Sequence, residues 1–184
     1  FTSANSINVA RWLPQMFYFM FAYKQLKALN KPIVFSVPSG NFGNICAGMI
    51  AQKLGFPIEH FIASNNTNNV VTRFLETDTY DPQPSIQTIS NAMDVGNPSN
   101  FIRIQALHNN DINKLKSNLS SYSFSDDETK TALDKIKQNY TYVSKKYKSA
   151  PVAKKAEILT SLQEGDLGPT TKKGKTIKAV HKTS

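Results

Sequence analysis

The spacing of apolar residues predicts a chain of alternating helices and strands. Residues 8–29 repeat apolar side chains every three or four positions, which is typical of a helix. The segment is apolar nearly all round, so we expect it to be buried on several sides, with Asn5 or Ser6 as its N-cap. Residues 33–37 form a short β-branched and aromatic run between two prolines, which predicts a buried strand.

Later segments continue this alternation. We expect a helix over 44–54, a strand over 60–63 and a helix over 68–76, then a long loop rich in proline and glycine over 77–100, helices over 101–107 and 112–119, and a helix over 125–138 that opens on a capping box. Strands separated by helices pair in parallel. The pattern therefore predicts the α/β class, a three-layer open sheet with parallel strands flanked by helices.

Composition narrows the class of protein. A chain of 184 residues with 40% hydrophobic residues suits a globular domain. Its one cysteine, Cys46, excludes an internal disulfide framework and favours a buried spacer in a reducing, cytoplasmic setting. The three histidines have no metal-ligand spacing, so no metal site is expected. The longest apolar stretch, residues 13–23, is too short to span a membrane and lacks the flanks of a signal peptide.

The net charge of +9 is concentrated near the end of the chain, because residues 145–184 carry ten lysines against three acidic residues. A basic tail can bind nucleic acid, but a solvated and partly disordered end is the favoured interpretation. Residues 151–162 have the spacing of a last amphipathic helix. The chain begins at Phe1 rather than Met, which suggests a fragment or a processed product.

The strongest local signal is the segment FSVPSGNFGNICAGMIAQKLG, a strand followed by a glycine-containing turn and a helix. Gly40 and Gly43 allow a tight turn and let the backbone approach a ligand closely. Free N–H groups and the dipole at the helix start can bind a phosphate without a lysine. The spacing matches neither a Walker loop nor a dinucleotide fingerprint. On its shape alone, a plain strand–helix connection remains the favoured interpretation.

Two further segments are candidates for a site. Residues 3–8, SANSIN, place two serines and two asparagines ahead of the first helix, more polar groups than a cap needs, which permits a second anion site. Arg11 could support that site or face solvent. Asp94, in the long loop, is either a site residue or a turn former, and the sequence slightly favours the turn.

Together these segments resemble threonine synthase, a pyridoxal 5′-phosphate (PLP) enzyme of the tryptophan synthase β-like fold. The resemblance rests on SANSINVAR, SVPSGNFGN, FIASNNTNNVVTRFL and SNAMDVGNPSNF in that order, and the acid-capped helix DDETKTALDKIKQNY also fits. It covers residues 1–142. It implies that 1–142 are part of the large PLP-binding domain and that 143–184 are a basic tail outside the family pattern.

The resemblance implies a function and a set of binding residues. The family converts O-phospho-L-homoserine and water into L-threonine and phosphate, a PLP-dependent lyase reaction that ends threonine biosynthesis. It implies that the PLP phosphate is bound by the backbone of Gly40, Asn41, Phe42, Gly43 and Asn44. It also implies that Asn5 and Ser6 lie at the substrate end of the site.

The chain departs from the family pattern at both ends. The family's Schiff-base lysine lies in a Phe-Lys-Asp segment upstream of SANSIN, and the 184 residues contain no such segment. A Thr-Ala-His-Pro-like segment of the family is replaced by VSKKYKSAPVAKKAEIL, which a divergent branch, a joined foreign segment or a reading-frame error would explain. We therefore expect no catalytic residue on this chain, no activity from it alone, and a missing N-terminal domain.

Two other functions remain open on the sequence. One is a non-catalytic fragment that binds phosphate or acts through its basic tail. The other is a different PLP enzyme of the same fold, acting on serine or threonine, which the SANSIN and SNAMDV segments argue against through the resemblance alone. The sequence predicts no particular oligomeric state.

Overall fold

The computed structural model describes the backbone of residues 5–149 and the side chains of residues 5–138. The chain divides into two compact units, one extending through Asp126 and the other beginning at Asp127. The described strands are β1 (Val34–Pro38), β2 (His60–Asn65) and β3 (Leu119–Ser123). The described helices are α1 (Val9–Trp12), α2 (Met16–Leu26), α3 (Gly43–Lys53), α4 (Val70–Thr77), α5 (Phe101–Leu107), α6 (Ile112–Asn118) and α7 (Asp126–Ser149).

The three strands form one parallel sheet in the order β1-β2-β3. In this register Pro38 lies opposite Ser64, and Asn65 lies opposite Ser123. The strands therefore end close to one another, as parallel pairing requires. The predicted α/β class, an open parallel sheet with flanking helices, is confirmed. The sequence pattern missed β3, because its five residues LSSYS lack a strong apolar signature.

One face of the sheet packs against α2 and α3 through aromatic rings. Phe19 of α2 lies edge-on to Phe35 and Phe61, with ring centroids 4.9 Å and 6.0 Å apart. Gly48 of α3 allows this close packing, because a β-carbon there would lie 2.7 Å from Phe61 Cε1. Each ring pair contributes roughly 0.5–1.5 kcal/mol beyond the burial of its area.

The predicted helix over 8–29 is confirmed in extent but interrupted. Pro14 lies in a 3₁₀ turn over Leu13–Gln15 that separates α1 from α2, because proline lacks the N–H that a helix interior needs. The expected caps are wrong: Asn8 is the N-cap, and its Oδ1 accepts from the N–H of Ala10 at 3.0 Å.

Burial along this part of the chain is lower than predicted. Phe17, Tyr18 and Phe21 are exposed, Tyr18 by 74%, although their segment is apolar nearly all round. Strand β1 lies at the edge of the described sheet, and its Val34 is 48% exposed. The prediction of a buried strand was wrong, because a short apolar run does not reveal whether a strand lies at an edge.

The long loop over 77–100 is ordered by one carboxylate. Thr88 donates to Asp94 twice, through its hydroxyl at 2.7 Å and its N–H at 3.0 Å. The side chain of Asn66, which directly follows β2, donates to the same carboxylate at 2.7 Å. Asp94 thus connects the loop to the sheet, which agrees with its interpretation as a turn former.

The second unit begins within α7, which runs from Asp126 to Ser149 and so extends beyond the predicted end at residue 138. Lys130 donates to Asp127 one turn earlier, and Thr131 donates to the Asp127 carbonyl. No helix of the described chain is both long and apolar enough to cross a membrane. The amphipathic helix predicted over 151–162 and the tail after it lie outside the described residues.

We predict that Gly48→Ala destabilises the protein by about 1–2 kcal/mol. The clash of the new methyl group with Phe61 and Phe19 exceeds the roughly 1 kcal/mol that alanine gains over glycine in a helix. Urea unfolding measures the change. Lys53→Ala, on the exposed face of the same helix, is the control and should shift stability by no more than about 0.5 kcal/mol. A Gly48→Ala protein as stable as the wild type would contradict this packing.

We predict a pH-dependent effect of Asp94→Asn. Hydrogen bonds lower the pKa of Asp94 below 3.8, first the Thr88 hydroxyl and then the Thr88 N–H and Asn66, against an opposing effect of burial. Because the folded pKa is lowered, the carboxylate stabilises the fold above about pH 3.8, and this contribution is lost as the pH falls through the folded value.

Urea midpoints of wild type and Asp94→Asn, measured between pH 6 and pH 2, should therefore differ at pH 6 and converge in acid. Glu76→Gln, an exposed change on α4, is the control and should leave the midpoint unchanged across this range. A gap between wild type and Asp94→Asn that stays constant from pH 6 to pH 2 would show that the charge of Asp94 does not order the loop.

Candidate phosphate site

The cradle loop, residues 39–44, joins the end of β1 to the start of α3. Its turn is made by Phe42, which has a left-handed backbone conformation with φ of 61°. The Phe42 ring is 1% exposed and lies edge-on to Phe101, with centroids 5.6 Å apart. A left-handed non-glycine residue costs about 1–2 kcal/mol, which burial of a phenylalanine offsets with about 1.5–3 kcal/mol. Phe42 therefore fixes where the chain enters α3.

The two glycines of the loop do not make its left-handed turn. Neither has a positive φ. A β-carbon at Gly40 would lie 2.8 Å from the Cα of Met93, and one at Gly43 would lie 3.2 Å from Asn100 Nδ2. The glycines thus let the long loop and the start of α5 pack against the cradle loop. The expectation that they make the tight turn was wrong, because the left-handed turn falls on Phe42.

The backbone N–H groups of the cradle loop remain available for a ligand. Among the described residues no hydrogen-bond partner is recorded for the N–H groups of residues 40–44, whereas the N–H of Ile45 donates to Asn44 Oδ1 at 2.8 Å. The first N–H groups of a helix lack partners within it, and the dipole of the 11-residue α3 makes the potential there positive. This arrangement suits an anion such as a phosphate.

Side chains at both ends of the loop brace it. Asn44 Nδ2 donates to the carbonyl of Pro38 at 2.8 Å, and the Ser39 hydroxyl lies 3.2 Å from Asn44 Oδ1. The side chain of Asn44 therefore binds the loop itself, which leaves only its backbone N–H to face a ligand.

The structure brings Ser6 to the cradle loop. Asn41 Nδ2 donates to the Ser6 hydroxyl oxygen at 2.7 Å, and Asn41 Oδ1 accepts from the N–H of Ser99 at 2.6 Å and its hydroxyl at 3.0 Å. Asn5 Oδ1 lies within its own turn, 3.3 Å from the Ser6 hydroxyl. The two candidate sites of the sequence, 35 residues apart, are thus adjacent around Asn41. Ser3 and Ala4 lie outside the described residues.

Sequence reasoning missed the residues that hold the backbone at Ser6 and Ile7. Asn100 is fully buried and donates to the Ser6 carbonyl at 3.3 Å. Arg103 donates to Asn100 Oδ1 and to the Ile7 carbonyl, and its guanidinium lies 5.7 Å from the centre of the Trp12 ring. Arg103 thus supports the backbone at residues 6 and 7, directly and through Asn100. Asn100 belongs to the motif NPSNF, and Arg103 follows it by three residues, a spacing that allows the two side chains to meet on a helix. Nothing in that local spacing predicts that Asn100 also contacts Ser6.

The remaining candidate groups among the described residues make contacts within the protein, and His181 lies outside the described residues. Cys46 is fully buried in α3, and burial raises the pKa of its thiol to about 11, with Arg103 opposing the rise, so the thiol stays protonated near neutral pH. His60 lies between Ser117 and Ser120, and His108 between Ile104 and Asn118. Within the described residues no group of three histidine, cysteine or acidic side chains could bind a metal.

Curated relatives of the chain are threonine synthases, although no protein-family model matches it. The threonine synthase of Serratia marcescens is 40% identical over 167 residues, which cover 90% of this chain and 38% of that protein. The threonine synthase of Haemophilus influenzae is 46% identical over 132 residues, 71% of this chain and 31% of that protein. The chain therefore spans about a third of the length of the curated relatives it matches.

Solved structures agree with the sequence comparison. The crystal structure of threonine synthase from Escherichia coli matches with a TM-score of 0.69 and 38% identity, over 74% of this chain and 32% of that one. A PLP-bound threonine synthase from Brucella melitensis matches with a TM-score of 0.63 and 33% identity, over 70% of this chain and 33% of that one. Sequence and parallel sheet point to the same proteins, so the chain belongs to the threonine synthase family and has the tryptophan synthase β-like fold.

Proposed function

We propose that this chain is part of a PLP-dependent threonine synthase, which converts O-phospho-L-homoserine and water into L-threonine and phosphate. The observation that carries the proposal is the row of unpartnered backbone N–H groups over residues 40–44, placed at the start of α3 and next to Ser6. Family membership supplies the chemistry that this phosphate-binding geometry alone does not specify.

The cradle loop suits the phosphate of PLP. Its donors are neutral backbone groups at fixed positions, braced by Asn44 at one end and by Asn41 in the middle. Fixed donors bind an anion without reorganising, and the helix dipole adds to the attraction. PLP, when bound, supplies the electron sink for the reaction. In this proposal residues 40–44 hold the cofactor by its phosphate and so set its position.

Ser6 and Asn5 form the substrate end of the proposed site. Ser6 is half-buried, and its hydroxyl oxygen accepts from Asn41, so its position is tied to the cradle loop. The family acts on a small molecule, and we propose O-phospho-L-homoserine, whose own phosphate would lie near these two residues. Because Asn41 contacts Ser6 directly, the proposed cofactor and substrate ends are one hydrogen bond apart.

The proposal also assigns each part of the chain to a region of the enzyme. Residues 1–142 belong to the PLP-binding large domain, and 143–184 are a basic tail. The 184 residues contain no Phe-Lys-Asp segment, so the catalytic lysine is supplied from outside this sequence and the chain is inactive alone. A buried, unpaired Cys46 suits a reducing compartment, and we place the reaction in the cytoplasm.

We predict that Asn41→Ala weakens PLP binding by the chain about tenfold. The change removes the bonds to Ser6 and Ser99, so the cradle loop loses the fixed geometry of its donors. Titration followed by amide chemical shifts of residues 40–44 gives the dissociation constant. Asn97→Ala, in an exposed part of the long loop, is the control and should leave it unchanged. Pyridoxal, which has no phosphate, should bind far more weakly than PLP; equal affinities would argue against the cradle loop as the phosphate site.

We predict that PLP binds this chain reversibly and without catalysis. Borohydride should trap the cofactor on no single lysine, and the chain should release no phosphate from O-phospho-L-homoserine, because the family lysine is absent from these 184 residues. Peptide mapping after reduction and a phosphate assay measure the two outcomes. The Escherichia coli threonine synthase serves as the positive control for both assays. Stoichiometric trapping on one lysine of this chain would contradict the assignment of catalysis to residues outside it.

A further inference from the structure

Asn65, the last residue of β2, is buried between the two other strands. Its Nδ2 donates to the carbonyl of Ser39 at 2.6 Å, and its Oδ1 accepts from the hydroxyl of Ser121 at 2.8 Å. The residue is 5% exposed, and Ser39 is 1% exposed. Asn65 therefore connects the residue that follows β1 with the middle of β3 through one buried side chain.

The chemistry of its partners fixes the orientation of the Asn65 amide. The Ser39 carbonyl can only accept, so the NH₂ group of the amide must face it. The Ser121 hydroxyl can donate to the opposite end, and it lies 2.8 Å from the hydroxyl of Thr72 on α4. Both ends of the amide are thus engaged by groups that lie on different elements, which resists rotation of the side chain.

The hydrogen bond to Ser39 also determines where the next N–H points. All described peptide bonds are trans, and in a trans peptide the C=O and the following N–H point in opposite directions. Because Asn65 draws the Ser39 carbonyl toward β2, the N–H of Gly40 is directed away from β2. That N–H has no recorded partner among the described residues.

We propose that Asn65 is a positioning residue for the phosphate site: by holding the Ser39 carbonyl, it directs the Gly40 N–H toward the bound phosphate. The inference rests on the proposed function, since it assumes that the cradle loop binds a phosphate. Without Asn65 the Ser39–Gly40 peptide can rotate, and the site loses one oriented donor. One hydrogen bond to a charged group corresponds to about a tenfold change in affinity.

The test compares two neutral variants of the full chain with a matched control. Asn65→Ser is too short to reach Ser39, and Asn65→Leu fills a similar volume without a donor. Neither adds a charge that would itself repel an anion. Thr72→Val, nearly isosteric, removes a buried hydrogen bond at the far end of the same network and leaves the contact with Ser39 intact. Inorganic phosphate and PLP are the probes, and the amide chemical shifts of residues 40–44 are the readout.

We expect phosphate to shift the Gly40 amide of the wild type and of Thr72→Val with the same dissociation constant. In Asn65→Ser and Asn65→Leu the constant should rise about tenfold, and the Gly40 amide should lose most of its shift while Asn44 retains its own. If the substitutions instead loosen the fold in general, the phosphate-induced shifts of all amides in residues 40–44 should decrease, and phosphate binding by Thr72→Val should weaken as well. That result would overturn the positioning role.

The remaining outcomes separate the two proposals. If the wild type shows no phosphate-induced shifts in residues 40–44, the proposed phosphate site fails and the role of Asn65 fails with it. If the wild type binds and both Asn65 variants bind equally well, the phosphate site stands and the role of Asn65 is wrong. Should one Asn65 variant fail to give a dispersed, folded spectrum, the other decides, because the two differ in volume and in polarity.

Discussion

Parallel pairing of β2 with both of its neighbours is the constraint on which the candidate site depends. The register puts Pro38 opposite Ser64 and Asn65 opposite Ser123, so the chain leaves all three strands at the same edge. Asn65 lies at that edge, and its side chain holds the carbonyl of Ser39, the first residue of the cradle loop. Open α/β sheets bind ligands beyond the carboxyl ends of their strands, and the candidate site of this chain lies at that edge.

Apolar and polar interactions have separate tasks around this edge. The rings of Phe19 and Phe61 pack α2 against the sheet, with Gly48 of α3 allowing the close approach. The ring of Phe42 packs the cradle loop against Phe101 of α5. Side-chain amides then set the finer geometry. Asn41 joins the loop to Ser6, and Asn65 joins it to β3. Neutral amides suit this task, because they offer a donor and an acceptor without adding charge beside the proposed anion site.

The parts of the fold that the sequence predicted well are those with a strong local period. Helix α5 was placed at its observed bounds, and α3 was placed within one residue at each end. The failures have local causes too. Strand β3 consists largely of serines, so its sequence resembles a loop. Phe17 and Phe21 are exposed although the sequence predicts that their segment is buried on several sides, because apolar character alone does not show whether another element covers a residue.

The sequence by itself determined the α/β class, the strand–loop–helix around residues 39–44 and the family resemblance, because periodicity, turn chemistry and motif order are local properties. Only the tertiary structure decided which distant residues meet: Ser6 with Asn41, Arg103 with the Ile7 carbonyl, and Asn65 with Ser39. It also assigned the left-handed turn to Phe42 rather than to a glycine, since the burial of that ring depends on Phe101, far along the chain. Contacts between segments separated by tens of residues depend on packing, and no local pattern encodes them.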